Sequence, residues 1–176
     1  MAAHDTNDPY WEGEKVRLRP MRKEDVALWL EEDVDSEGIR LLNYGIDLPK
    51  SPKSAEAFSE RYSEFNHLSE RILFSMETLS GELVGGINIH SMNRKNGTFQ
   101  TGTRVYRSFR GRGFAADAKR FVLRYAFNEL RFQKYNLQCI ETVRRQTTWD
   151  HLDLFAERHF PDTPPVSGFR VEILHY

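Results

Sequence analysis

Thr103-Arg104-Val105-Tyr106-Arg107-Ser108-Phe109-Arg110-Gly111-Arg112-Gly113-Phe114-Ala115-Ala116 is the stretch on which the fold turns. Its front end belongs to an alternating run, Phe99 to Tyr106, that reads as a β-strand. From Ala115 to about Arg131 the period lengthens. Ala118, Phe121, Val122, Tyr125, Ala126 and Leu130 recur at three- and four-residue spacing, as on the buried side of a helix. Two glycines sit at the junction, where a chain must turn tightly. A helix start presents backbone N–H groups with no partner inside the helix, and its dipole favours negative charge there. Gly111 and Gly113 let the backbone approach a ligand without a Cβ in the way. Ala115 and Ala116 keep the first turn slim, and Arg110 and Arg112 add positive charge. The pattern is that of a pyrophosphate cradle.

The charge distribution agrees. The net charge of the 176 residues is −1, which excludes a polycation built to hold nucleic acid. Yet Arg104 to Arg145 holds eleven Lys/Arg against three Asp/Glu, a local +8 around the glycine loop. Two ligand classes fail on the residues. A nucleotide P-loop needs Gly-Lys-Ser/Thr, and the chain has Gly113-Phe114-Ala115. The dinucleotide pattern G-x-G-x-x-A is met by Gly111 to Ala116. It requires an acidic residue about 20 positions on, and Gln133 and Lys134 stand there instead.

Outward from the loop, the rest of the chain reads as follows. Lys15 to Arg19 is a strand and Arg22 to Glu31 a short helix. Glu31 to Glu37 is an acidic connector, and Ile46 to Pro52, with two prolines, is a loop. A second helix, capped by Ser54 or a neighbour, runs to about Ser69, with Phe58, Tyr62 and Phe65 at helical spacing. Arg71 to Thr78 and Leu83 to His90 flank the turn Ser80-Gly81-Glu82. With Phe99 to Tyr106 they make an antiparallel meander. Tyr135 to Thr142 is a strand, Leu152 to His159 a helix and Phe169 to His175 a last strand. The order β-α-α-β-β-β-α-β-α-β predicts one mixed α/β (α+β) domain around a central sheet, over residues 13–176, behind a loose arm at 1–12. The single Cys139 excludes an internal disulfide and reads as a buried strand residue. No apolar run approaches the roughly 20 residues of a membrane span, and the start lacks the pattern of a secretory signal, so a cytoplasmic location is expected.

Val105 to Ala115 resembles the signature of the GCN5-related N-acetyltransferases, Arg/Gln-x-x-Gly-x-Gly/Ala after a strand. Leu123 to Asn136 and Val16 to Asp25 resemble the ribosomal-protein alanine acetyltransferase-like branch of that family. The likeness covers roughly residues 14 to 142. It implies an N-acetyltransferase that uses acetyl-coenzyme A and no metal, with the GNAT sheet and its splayed central strands. The backbone of Thr103, Arg104 and Val105 would pair with the pantetheine arm, which enters a gap between this strand and Tyr135 to Thr142. Gly111, Arg112, Gly113, Phe114, Ala115 and Ala116 would wrap the pyrophosphate, flanked by Arg110. The N–H near Val105 would polarise the thioester carbonyl.

Transfer to an amine calls for a base, and Glu141 is the only acid in Tyr135 to Thr142. Gln138 stands about where some relatives carry a glutamate. The end departs from the family: Phe155 replaces a tyrosine that can act as acid, and His159-Phe160 replaces Gly-Phe. His151 and Tyr176 could substitute for that tyrosine. Only one strand fits where relatives have a hairpin, so the end reads as shortened or rearranged, and a second copy supplying the missing strand is a corresponding expectation. The acceptor would be a small-molecule amine or a protein N-terminus, with no nucleic acid and no membrane involved. Glu31, Glu32, Asp33, Asp35 and Glu37 could attract a cation. The alternative is a catalytically degenerate acetyl-CoA-binding sensor or interaction module.

Overall fold

A computed structural model describes residues 10–43, 46, 48–138 and 170–174. Along the chain run β1 (Val16–Pro20), α1 (Asp25–Glu32), α2 (Ser36–Asn43), α3 (Pro52–Ser63), β2 (Ile72–Thr78), β3 (Leu83–Asn93), β4 (Thr98–Val105), α4 (Phe114–Asn128), β5 (Lys134–Gln138) and β6 (Arg170–Leu174), with a single 3₁₀ turn at Arg107–Phe109. The six strands form one sheet in sequence order. β1 to β4 pair antiparallel, whereas β5 is parallel to both β4 and β6. The mixed sheet, its meander and its flanking helices are the architecture that the sequence predicts.

Helices cover both faces of the sheet. Phe99 of β4 packs edge-on against Phe127 near the end of α4, with ring centroids 5.3 Å apart. The neighbouring Arg104, of opposite parity, reaches Asp33 at the end of α1. Alternate side chains on a strand point to opposite faces. Phe99, Thr101, Thr103 and Val105 therefore share the α4 face, and Gln100, Gly102 and Arg104 share the face of α1 and α2. Residues Ile72 to Glu77 of β2 are all buried, as a strand covered on both sides requires. The core combines Ile72, Phe74, Met76, Ile87 and Ile89 of the meander with Ala118, Phe121, Val122 and Ala126 of α4.

Three differences from the sequence reading have physical causes. The acidic connector contains a helix, α2, whose one fully buried apolar anchor with a described side chain is Ile39. A two-turn helix with so few apolar residues leaves little periodic signal. The second expected helix is capped by Ser51, a near neighbour of Ser54, which accepts from the Ser54 N–H at 3.1 Å with Pro52 in the first turn, and it ends at Ser63 instead of about Ser69. The chain before β1 is docked from Tyr10 onward. Trp11 lies 4.8 Å from Phe74 and 5.0 Å from Tyr125 between ring centroids, and its carbonyl accepts from Leu18 N–H at 2.8 Å. At the far end the last strand pairs in parallel with β5, from Lys134↔Arg170 to Gln138↔Leu174, so no hairpin joins these two strands. Cys139, Glu141, His151, the expected helix Leu152 to His159, and Tyr176 lie outside the described residues.

Candidate functional site

β4 is held by β3 along most of its length, in register from Asn93↔Thr98 to Gly85↔Val105. On its other side only two pairs join it to β5, Thr98↔Lys134 and Phe99↔Tyr135. From Gln100 to Val105 that edge of β4 has no strand partner among the described residues, although β5 continues to Gln138. Two parallel strands thus start together and diverge, leaving a V whose sides carry backbone groups available for pairing. Its apex is tied by Thr101 Oγ1 and the Tyr135 hydroxyl, 2.7 Å apart. On its sides, Thr103 Oγ1 of β4 and Asn136 Oδ1 of β5 are buried with no hydrogen-bond partner.

The V opens toward the glycine loop. After β4 the 3₁₀ turn leads into Arg110, and the chain then takes the left-handed region twice, at Gly111 (φ 76°) and Gly113 (φ 84°). These conformations explain why both positions are glycine. Gly113 is the N-cap of α4 and brings no side-chain cap. The first N–H groups of α4, on Phe114, Ala115 and Ala116, thus face outward beside the loop. A Cβ on Gly111 would meet nothing within 4 Å, so no protein atom crowds that bend, whereas one on Gly113 would lie 2.9 Å from Lys15 Nζ. Lys15 Nζ also donates to the Arg112 carbonyl at 2.8 Å. Phe114 is half-buried against Phe109, with centroids 6.3 Å apart.

The arginines divide into two groups. Arg104 donates to Asp33 Oδ1 at 2.6 Å and to the Glu32 carbonyl at 2.5 Å. Arg110 pairs with the buried Asp35 and donates through Nε to the Val105 carbonyl at 3.1 Å. Burial would raise the Asp35 carboxyl, but the Gly38 N–H, the Arg110 hydrogen bond and charge, and the charge of Arg107 outweigh it and hold the group below its ordinary value. Of the five acids that could attract a cation, Asp33 and Asp35 therefore bolt the α1–α2 corner to β4 and the loop. Asp33 in addition pairs with Lys50 at 2.9 Å. The guanidinium groups of Arg107 and Arg112 form no ion pair within 4 Å among the described residues, although the Arg107 N–H donates to Glu32 Oε2 at 3.2 Å; Arg112 donates to the Ser108 carbonyl at 3.0 Å and lies over the Phe109 ring. Lys15, Arg107 and Arg112 are the cations left around the cradle.

Several residues here carry no sequence signal of their role. Asp117, in the first turn of α4, is buried and accepts from the N–H groups of Lys15 (2.9 Å) and Val16 (3.1 Å), fixing β1 to the loop helix. Asn88 of β3 lays its carboxamide over Gly102 and accepts the Gly102 N–H at 3.0 Å. A Cβ on Gly102 would crowd that carboxamide at 3.2 Å. Tyr106 is buried directly after β4, and burial pushes its phenol above the ordinary value against the opposing charge of Arg104. It stays protonated at physiological pH.

Comparison with known proteins gives the same architecture. The acetyltransferase (GNAT) domain profile matches residues 15–147. The SPbeta prophage-derived uncharacterized N-acetyltransferase YokL of Bacillus subtilis is 34% identical over 127 residues, covering 72% of this chain and 68% of that protein. Ribosomal N-acetyltransferase names also occur among the relatives. A crystal structure of spermidine N-acetyltransferase from Vibrio cholerae in complex with CoA and spermine superposes with a TM-score of 0.58 at 17% identity, over 68% of each chain. A GCN5-related N-acetyltransferase from Brucella melitensis gives 0.57 at 18% identity, over 71% of this chain and 57% of that one. At these identities the two structures speak for the fold.

Proposed function

The chain belongs to the acetyltransferase (GNAT) family, and from that premise we propose that it binds acetyl-coenzyme A between β4 and β5 and transfers the acetyl group to a primary amine, on a small molecule or at a protein N-terminus. The observation that carries this reading is the V that opens onto an uncapped helix start. An extended arm with amide groups can pair with the edge of Thr103, Arg104 and Val105. A diphosphate can then meet the N–H groups of the first turn of α4. The residues fit such a ligand: the loop takes left-handed turns at Gly111 and Gly113, and the side chains of Lys15, Arg107 and Arg112 stand near with no ion pair among the described residues. Thr103 Oγ1 and Asn136 Oδ1, buried and unpartnered on the two sides of the V, are suited to polar groups of the arm. Bound there, acetyl-coenzyme A supplies an activated acetyl thioester. The protein's part is to hold the arm extended, to neutralise the phosphates and to exclude water from the V. That a relative in fold was solved with CoA supports the assignment.

Calorimetry with coenzyme A tests the site. Gly113→Glu places a side chain where φ is 84° and where a Cβ already meets Lys15 Nζ, and it adds negative charge at the cradle. It should weaken coenzyme A binding at least about 100-fold, or ~2.7 kcal/mol. Unchanged affinity would refute the placement. Thiol release from acetyl-coenzyme A across a panel of amines then tests transfer. Tight binding with no turnover on any amine would make the chain a binding module.

A further inference from the structure

The turn from Val105 to Arg110 joins the open edge of β4 to the glycine loop. A ligand that pairs with the edge and also meets the start of α4 needs the two at a set spacing, and a turn already closed at that spacing lowers the cost of binding. Tyr106 N–H donates to the Val84 carbonyl of β3 at 2.9 Å. Val105, of opposite parity, therefore turns its own N–H and carbonyl toward the open edge. Backbone bonds close only parts of the turn: Phe109 N–H donates to the Tyr106 carbonyl at 2.9 Å and Arg110 N–H to the Arg107 carbonyl at 3.4 Å. The bond that spans it from end to end comes from a side chain, Arg110 Nε to the Val105 carbonyl at 3.1 Å.

That side chain is itself held. Its Nη2 pairs with Oδ2 of Asp35, just ahead of α2. Asp35 is buried, whereas Arg110 is partly exposed. The second carboxylate oxygen, Oδ1, accepts from the Gly38 N–H at 3.3 Å, so the carboxylate is fixed from behind. The guanidinium is planar and rigid, so a grip on Nη2 also aims Nε. The Val105 carbonyl keeps a second lone pair for a ligand amide. Asp35, Arg110 and Val105 thus make a strut from the start of α2 to the open edge. On charge alone Asp35 is out of place, because an acid beside the cradle repels a polyanion.

We propose that Asp35 is a positioning residue for the cofactor site: through Arg110 it sets the course of the chain from Val105 to Gly111, and Arg110 serves as a strut instead of a phosphate contact. The inference rests on the coenzyme A reading and adds to it a residue outside the glycine loop. Calorimetry with coenzyme A on three variants tests it. Asp35→Asn removes a negative charge near the cradle, yet it should weaken binding about 10-fold, the worth of one charge-assisted hydrogen bond. Arg110→Lys keeps the charge but replaces the planar fork by one nitrogen, and it should lose about as much. Asp35→Asn combined with Arg110→Gln keeps the net charge of the wild type and should stay within about 2-fold of the single variants, since all three break the same strut. In the ligand-free chain, Asp35→Asn should shift the NMR amide signals of Gly111 and Gly113, which a role confined to α2 would leave in place. The amide signals of Phe74 and Ile87 should stay, showing that the sheet is folded. Unchanged or tighter binding by Asp35→Asn, unmoved glycine signals, wild-type affinity of Arg110→Lys, or additive losses in the double variant would overturn the assignment. Failure of the wild-type chain to bind coenzyme A would instead strike the reading of the function itself.

Discussion

At Asp25 one buried carboxylate ties three elements together. It takes both terminal nitrogens of Arg19 in β1 (2.8 and 2.9 Å), the Ser75 hydroxyl of β2 (2.7 Å) and the Arg22 N–H ahead of α1 (2.9 Å). Burial alone would raise its pKa. The hydrogen bonds from Arg19, Arg22 and Ser75 and the Arg19 charge outweigh that and lower it from 3.8. A carboxylate whose folded pKa is lowered contributes stability fully above its unfolded value and loses it as pH falls through the folded one. Asp25→Asn leaves Arg19 with Glu77 as its remaining carboxylate, and it should cost about 3 kcal/mol in urea unfolding at pH 7. The gap between variant and wild type should begin to narrow below about pH 4, where the unfolded chain takes up the proton first, and close only once pH has fallen past the lowered folded value. None of this is written in the sequence, where an acid in the first turn of a helix reads as a surface residue favoured by the dipole. The glycine loop was legible for the opposite reason. Only glycine combines a left-handed φ with a bare Cα, so Gly111 and Gly113 announce their backbone directly.

Among the elements, α2 shows how little a short helix reveals. Its run Ser36–Asn43 follows four acids, Glu31, Glu32, Asp33 and Asp35, and includes Gly38, which argues against a helix on propensity. The structure supplies the reason for that glycine. A Cβ at position 38 would run into both Arg110 Nη2 and Asp35 Oδ2, the two partners of the pair that holds α2 to the loop. Gly38→Ala improves helix propensity by roughly 1 kcal/mol and would normally stabilise. Here it crowds a buried carboxylate, and overpacking of this kind costs about 1–3 kcal/mol. A net loss of about 1 kcal/mol is expected in urea unfolding, and a gain in stability would mean that the pair relocates at little cost. The long amphipathic α4, by contrast, was placed from its apolar spacing to within one residue at its start, because six apolar positions repeat over four turns.

Across the whole molecule, the meander and its flanking helices follow from periodicity and turn residues. The divergence of β4 from β5 does not. Strand patterns tell which residues alternate but not whether two strands that start paired stay paired, and here the expectation came from resemblance to a family. The parallel β6 was likewise beyond reach, since a single alternating strand carries no direction of pairing.

The two-pair joint between β4 and β5 has a thermodynamic corollary. A ligand that pairs with those strand edges binds the folded chain and not the unfolded one, so mass action adds its binding energy to the stability of the fold. Coenzyme A at 100 times its dissociation constant should add about 2.7 kcal/mol, and each further tenfold about 1.4. For a chain of this length that amounts to several degrees in melting temperature, rising with the logarithm of concentration. A melting temperature indifferent to coenzyme A would count against the site. In a cell the quantity that sets how long such a protein lasts would then include the supply of its own ligand.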